Sequence, residues 1–198
     1  MQSIMQTVKT EITVKNSKFI GYMGNIESAA DADGFLERLR KKHSDATHIV
    51  YAYRTVNNEM KYSDANEPAG SAGKPVYNII EKNELYNVII AVIRYFGGVK
   101  LGIGGLVRAY SSTAASLYEI ADIRELVRAA EILLTVPYKL APILENKLRN
   151  MDYTRILSID YKTEVTFDII VRENLIEEEL SGRNILSRII RDSIFVPF

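Results

Sequence analysis

The sequence predicts an α+β fold in two domains, residues 1–130 and 131–198, and three observations carry that expectation. The 198 residues exceed what one small core needs but fall short of two large ones. An apolar share of 47% and a charged share of 25%, with Gly and Pro clustered in one region only, is ordinary globular composition. After Ala130 the pattern becomes strand, helix, strand, strand, helix, strand, the order of a ferredoxin-like unit.

The first domain opens as a hairpin. Thr7 to Lys15 is rich in β-branched residues, and Phe19 to Ile26 follows the turn-like Asn16-Ser17. Ser28 caps a helix whose Phe35, Leu36 and Leu39 share a face. The basic run Arg38, Arg40, Lys41, Lys42 closes that helix as a solvated end favoured by the dipole. Thr47 to Thr55 alternates as a strand, and Asn57-Asn58 turns it into a short strand at Met60 to Tyr62. Residues 63–74 have no apolar period and read as a loop, after which Pro75 suits the first turn of a helix to about Leu85. Val88 to Ile93 is continuously apolar, the mark of a strand covered on both faces. Glycines at 97–105 then join it to a helix with Leu106, Tyr110, Thr113, Leu117 and Ile120 on its packed face.

The second domain is read as strand Ile132 to Tyr138, helix Leu140 to Met151, strand Arg155 to Tyr161 and alternating strand Glu164 to Arg172. Helix Asn174 to Arg191 and strand Ile194 to Phe198 complete it.

Several function classes drop out on composition. The longest apolar run is far below the roughly 20 residues of a membrane-spanning helix, and the first residues lack the basic start and apolar core of a signal peptide. A cytoplasmic protein without a membrane partner is therefore expected. The absence of cysteine excludes disulfides, thiolate metal sites and a cysteine nucleophile. Lys plus Arg balance Asp plus Glu at 25 each, so no global field draws the chain to nucleic acid, and any anion site is local. One such asymmetry exists: no acid lies between Glu84 and Glu119, whereas Arg94, Lys100 and Arg108 do.

Two segments can carry chemistry. In Gly97-Gly98-Val99-Lys100-Leu101-Gly102-Ile103-Gly104-Gly105, residues without Cβ let backbone amides approach an anion, and the following helix adds unpaired N–H groups and a positive dipole end. Arg94, Gly97, Gly98, Lys100, Gly102, Gly104, Gly105 and Arg108 form the candidate anion or RNA site. The plainer reading is that the glycines permit close packing while the arginines pair with acids elsewhere. The segment is neither a Walker A loop, since Leu101 follows Lys100, nor a dinucleotide fingerprint, since Val107 stands at the third glycine position.

The second segment is the loop with Asp64, Glu67, Gly70, Ser71, Gly73 and Lys74. Asp64 and Glu67 are close enough to share a metal or act as acid and base, yet two carboxylates alone make a weak metal site. Alternatively they order the loop by turn bonds and by pairing with Arg94 or Arg108, making the two segments walls of one cleft. Ser71-x-x-Lys74 copies a serine acyl-transferase spacing, but Pro75 places Lys74 just before the helix. His43 is read as an exposed helix end, and His48 as either cleft or core. Tyr95 and Tyr110 lie beside the cationic segment and are possible cleft residues. No cofactor or metal is expected.

Asp64-x-x-Glu67-Pro68-x-Gly70-Ser71-Ala72-Gly73-x-Pro75, then Asn87-Val88, then Arg94-Tyr95-Phe96-Gly97-Gly98-x-Lys100-Leu101-Gly102-x-Gly104-Gly105-Leu106-x-Arg108-Ala109-Tyr110, resembles the signature of the IMPACT/YigZ family. The departures are Ala65-Asn66 where the family usually has Asp-Gly, and Ser71 where it usually has Thr. The resemblance implies a first domain similar to domain two of ribosomal protein S-five and a ferredoxin-like second domain similar to the last domain of elongation factor G. It also implies a nucleic-acid or ribosome role for bacterial members. The expected function is therefore a non-catalytic RNA- or ribosome-associated regulator of translation. The alternatives are an enzyme on a small phosphorylated ligand or nucleotide, and a protein-interaction module.

Overall fold

The computed structural model describes residues 1–172 and 185–197, and the chain divides into two compact units, Met1–Leu126 and Val127–Val196. Each is an α+β arrangement. The first unit contains β1 (Gln2–Ile4), β2 (Val8–Val14), β3 (Ser17–Asn25), α1 (Ala29–Lys42), β4 (His48–Arg54), β5 (Met60–Ser63), α2 (Gly73–Lys82), β6 (Val88–Tyr95) and α3 (Ile103–Ile120). Strand β7 (Ile123–Val136) leads into the second unit, which continues with α4 (Ala141–Arg149), β8 (Thr154–Tyr161), β9 (Val165–Arg172) and β10 (Leu186–Pro197).

In the first unit five antiparallel strands run in the order β2-β3-β6-β4-β5, placing β6 at the centre. Parity along β6 separates two cores. Val88, Ile90 and Val92 face α2 and α3 residues such as Val76, Ile80, Leu106, Tyr110 and Leu117. Ile89, Ala91 and Ile93 face Ala32, Phe35, Leu36 and Leu39 of α1. Helices on both faces are why the strand reads as an unbroken apolar run instead of alternating.

The hairpin forms as expected, with Lys15 and Asn16 both at positive φ (44° and 63°) in a two-residue turn that matches strand twist. Ser28 caps α1 in a reciprocal box with Asp31. Two expectations fail here. Ile120 is exposed, because the apolar face of α3 ends at Leu117. His43 is buried, with its ring between two tyrosine hydroxyls, Tyr22 at 3.1 Å from Nε2 and Tyr95 at 3.0 Å from Nδ1. The Tyr95 hydroxyl donates to Asp45, so it accepts from Nδ1–H and leaves Nε2 to accept from Tyr22. Burial, with Lys42 and Lys9 nearby, holds the His43 pKa below its ordinary value.

In the second unit β7, β9 and β8 are neighbours in that order, β10 also pairs with β7, and α4 packs Ala141, Leu144 and Leu148 on Ile132, Leu134, Phe167 and Ile169. β7 begins nine residues before the expected Ile132, because Ile123 to Glu125 pair with β1. The expected helix Asn174 to Arg191 is overturned where it can be compared: Leu186 to Arg191 belong to strand β10, whose partner is β7, and residues 174–184 lie outside those described.

Candidate nucleic-acid interface

The two motif segments meet at Glu67. It lies in the connection between β5 and α2, is 8% exposed, and its Oε1 accepts from Arg94 Nη1 at 2.6 Å and from the Tyr110 hydroxyl at 2.8 Å. His48 Nε2 stands 3.8 Å from the same oxygen. His48 Nδ1 donates to the Ala65 carbonyl at 2.8 Å, which fixes the ring and steadies a turn where Ala65 and Asn66 both have positive φ. Glycine suits such a backbone better than the Asn66 found here.

Arg94 points to this face because it shares the parity of Val92 and Ile90 on β6. Its guanidinium lies between the Phe19 and Phe96 rings, 5.5 Å from each centroid. Tyr110 meets Phe19 edge to face at 5.2 Å. Burial, and then the Glu67 carboxylate, push the Tyr110 phenol far above its ordinary pKa, so it stays a neutral donor. This cluster ties loop, central strand and α3 together. Arg94 was expected to touch RNA, and at 5% exposure with Glu67 as its partner it does not present itself to a polyanion. Tyr95, one residue on, falls on the opposite face with His43 and α1, so it is not in this group.

Asp64 supplies the second tie. Its carboxylate accepts from the backbone N–H groups of Gly70 (2.8 Å) in the loop and of Ala72 (3.0 Å) and Gly73 (2.7 Å), the N-cap and first residue of α2. Gly73 has no room for a side chain, since a Cβ would sit 2.7 Å from the Ser63 backbone. Gly70 supplies a φ of +72°. The helix begins at Gly73 rather than at Pro75, so Lys74 is inside its first turn. Ser71 is buried and donates to the Pro68 carbonyl at 2.6 Å, whereas Lys74 Nζ lies 4.9 Å from the Tyr77 ring centre. Ser71 and Lys74 thus serve separate contacts.

The connector to α3 is built differently. Gly97 packs against the hairpin turn so tightly that a Cβ would lie 2.1 Å from Asn16, and its N–H donates to Ser17 Oγ at 3.1 Å. Gly102, the N-cap residue, has φ 73° and ψ 164°, a conformation essentially restricted to glycine. It offers no side chain to the first amides of α3, and no acid stands in the first turn. Gly98 is exposed with φ +83°, and Gly104 is exposed within that turn. Gly105 holds the helix against Leu101, where a Cβ would come within 2.9 Å. Arg108 lies back towards the helix start, its Nη1 3.6 Å from the place a Gly104 Cβ would take. Lys100 and Arg108 are exposed and, among the described residues, neither pairs with an acid.

Beside this helix start is a pocket of about 160 Å³ that sequence reading missed. Ile12, Val14 and Leu101 give it an apolar wall; Lys15, Arg108 and Ser112 give it a polar one. Lys15 comes from the hairpin turn, far away in sequence, and no local signal links it to the glycine segment.

These features define a class: an α+β protein in which a buried Glu–Arg–Tyr cluster supports an uncapped, cation-flanked helix start. Comparison with known proteins makes the assignment specific. The Impact N-terminal domain model matches residues 15–118, and the chain belongs to the IMPACT family. The IMPACT family member YvyE of Bacillus subtilis (strain 168) is 33% identical over 175 residues, covering 86% of this chain and 79% of the relative. A Haemophilus influenzae family member is 29% identical over 187 residues, covering 89% and 90%. A crystal structure described as that of a hypothetical protein superposes with a TM-score of 0.64 at 26% identity, covering 88% of this chain and 86% of that one. Among the described residues, no helix is long and apolar enough to cross a membrane.

Proposed function

We propose that this IMPACT-family chain is a non-catalytic RNA- or ribosome-associated protein acting in the regulation of translation, and that it grips RNA phosphates at the start of α3. The observation that carries the reading is the contrast between a helix start with no acid in its first turn and three cations around it, Lys15, Lys100 and Arg108, that pair with no acid among the described residues. Unsatisfied amides, a positive dipole end and flexible cations together favour a phosphate. Glu67 and Asp64 support the same reading from the other side. Glu67 Oε1 is shared by Arg94 and Tyr110, and both Asp64 oxygens accept backbone N–H groups, so the two carboxylates are engaged in holding the loop together.

The test is binding of purified protein to total tRNA and to ribosomal subunits by fluorescence anisotropy at several salt concentrations. Three phosphate contacts give a slope of log affinity against log salt of about −2. A Lys100→Ala/Arg108→Ala protein should keep the fold and lose most of that slope. Salt-independent binding, or none to either partner, sinks the proposal.

A further inference from the structure

The pocket beside α3 has a composition that phosphate binding alone does not explain. A site that meets only the outside of a duplex needs cations and amides, because duplex phosphates face outward and bases are stacked within. Here the cationic rim of Lys15 and Arg108 continues into a wall of Ile12, Val14 and Leu101, all partly buried extensions of the main core. An apolar wall gains only when something apolar displaces water from it. At about 160 Å³ the cavity matches one flat heterocycle and is too small for a stacked pair. Ser112 stands at its edge, where a hydroxyl can donate to or accept from a polar ring edge.

We infer, resting on the RNA reading above, that this pocket takes one unpaired nucleotide of single-stranded RNA. The base lies against Ile12, Val14 and Leu101, and its phosphate lies on the rim formed by Lys15, Arg108 and the open start of α3. The protein therefore selects single strands, bulges or loops over continuous duplex. A side chain added at the edge closes the pocket without disturbing the core, since Ser112 is exposed.

The experiment compares a fluorescein-labelled uridine strand of about ten nucleotides with a blunt duplex of the same length, for the parent and for Ser112→Phe, with unlabelled uridine monophosphate as competitor. The parent should bind the strand about tenfold more tightly than the duplex, the effect of one base contact. Ser112→Phe should bring strand and duplex to equal affinity while leaving the salt slope intact. Should Leu101→Asn, a polar change that adds no charge, fold normally, judged by circular dichroism, it should do the same. Equal binding of strand and duplex by the parent, or an undiminished preference in both variants, overturns the pocket while the phosphate reading stands. Displacement of RNA by the free monophosphate at equal concentration overturns it in favour of a small-molecule site. Failure of both nucleic acids to bind removes the phosphate reading and the pocket with it.

Discussion

Two helices of the first unit start from glycine-rich loops, and the protein treats them in opposite ways. The start of α2 is closed from within: Asp64 accepts from the Ala72 and Gly73 amides, and Glu67 reaches back to Arg94 and Tyr110. The start of α3 is left open, with Gly102 as an N-cap that has no side chain and with Lys100 and Arg108 paired with no acid among the described residues. The same backbone chemistry thus serves structure at one place and is kept available at the other. Which role a glycine loop plays is decided by whether a carboxylate of the same chain reaches it.

That contrast can be broken most severely at Glu67. Glu67→Ala leaves the buried Arg94 guanidinium without its anion, and unfolding free energy should fall by about 3–5 kcal/mol in urea titration. Converting Glu67 and Arg94 together to Gln and Leu should cost much less than the single change, because the stranded charge goes with its partner. At the open start, Gly102→Ala forces a Cβ into a glycine-only conformation, and the expected loss is about 1–3 kcal/mol by the same assay. Asp64→Ala removes the internal anion from α2 at about 0.5–2 kcal/mol. Added sulfate should recover part of that loss, but give little in the parent at the same ionic strength beyond its effect on α3. The smallest stability effect belongs to Lys100→Ala/Arg108→Ala, within about 0.5 kcal/mol of the parent. If that double variant unfolds as readily as Glu67→Ala, the open start is structural after all.

Much of this architecture could be read from residues 1–130. The buried strand, the hairpin and the capped helix were plain because local pattern and tertiary environment agree there. The pairing of Glu67 was legible only as a choice between Arg94 and Arg108. Parity along β6 resolves it, since the alternation that buries Val92 also turns Arg94 towards the loop and Tyr95 away. His43 looked exposed because it ends a basic run, and nothing local announces the tyrosines that enclose it. Leu186 to Arg191 misled for a similar reason. The segment was read as the end of a helix, but it lies in the strand that pairing with β7, over fifty residues earlier, makes available, a setting that the β-branched Ile189 suits. The pocket was invisible because Lys15 and Arg108 meet only in three dimensions.

Gly97 carries a last consequence. Because Asn16 occupies the space of its missing side chain, the hairpin tip and the connector interlock like a tongue in a slot. Lys15 on one and Lys100 on the other are therefore carried on a shared rigid frame. Capture of a ligand there need not await any rearrangement of the chain, so the speed of encounter should follow ionic strength and viscosity, and the entropy lost on docking should be that of a few side-chain rotors only.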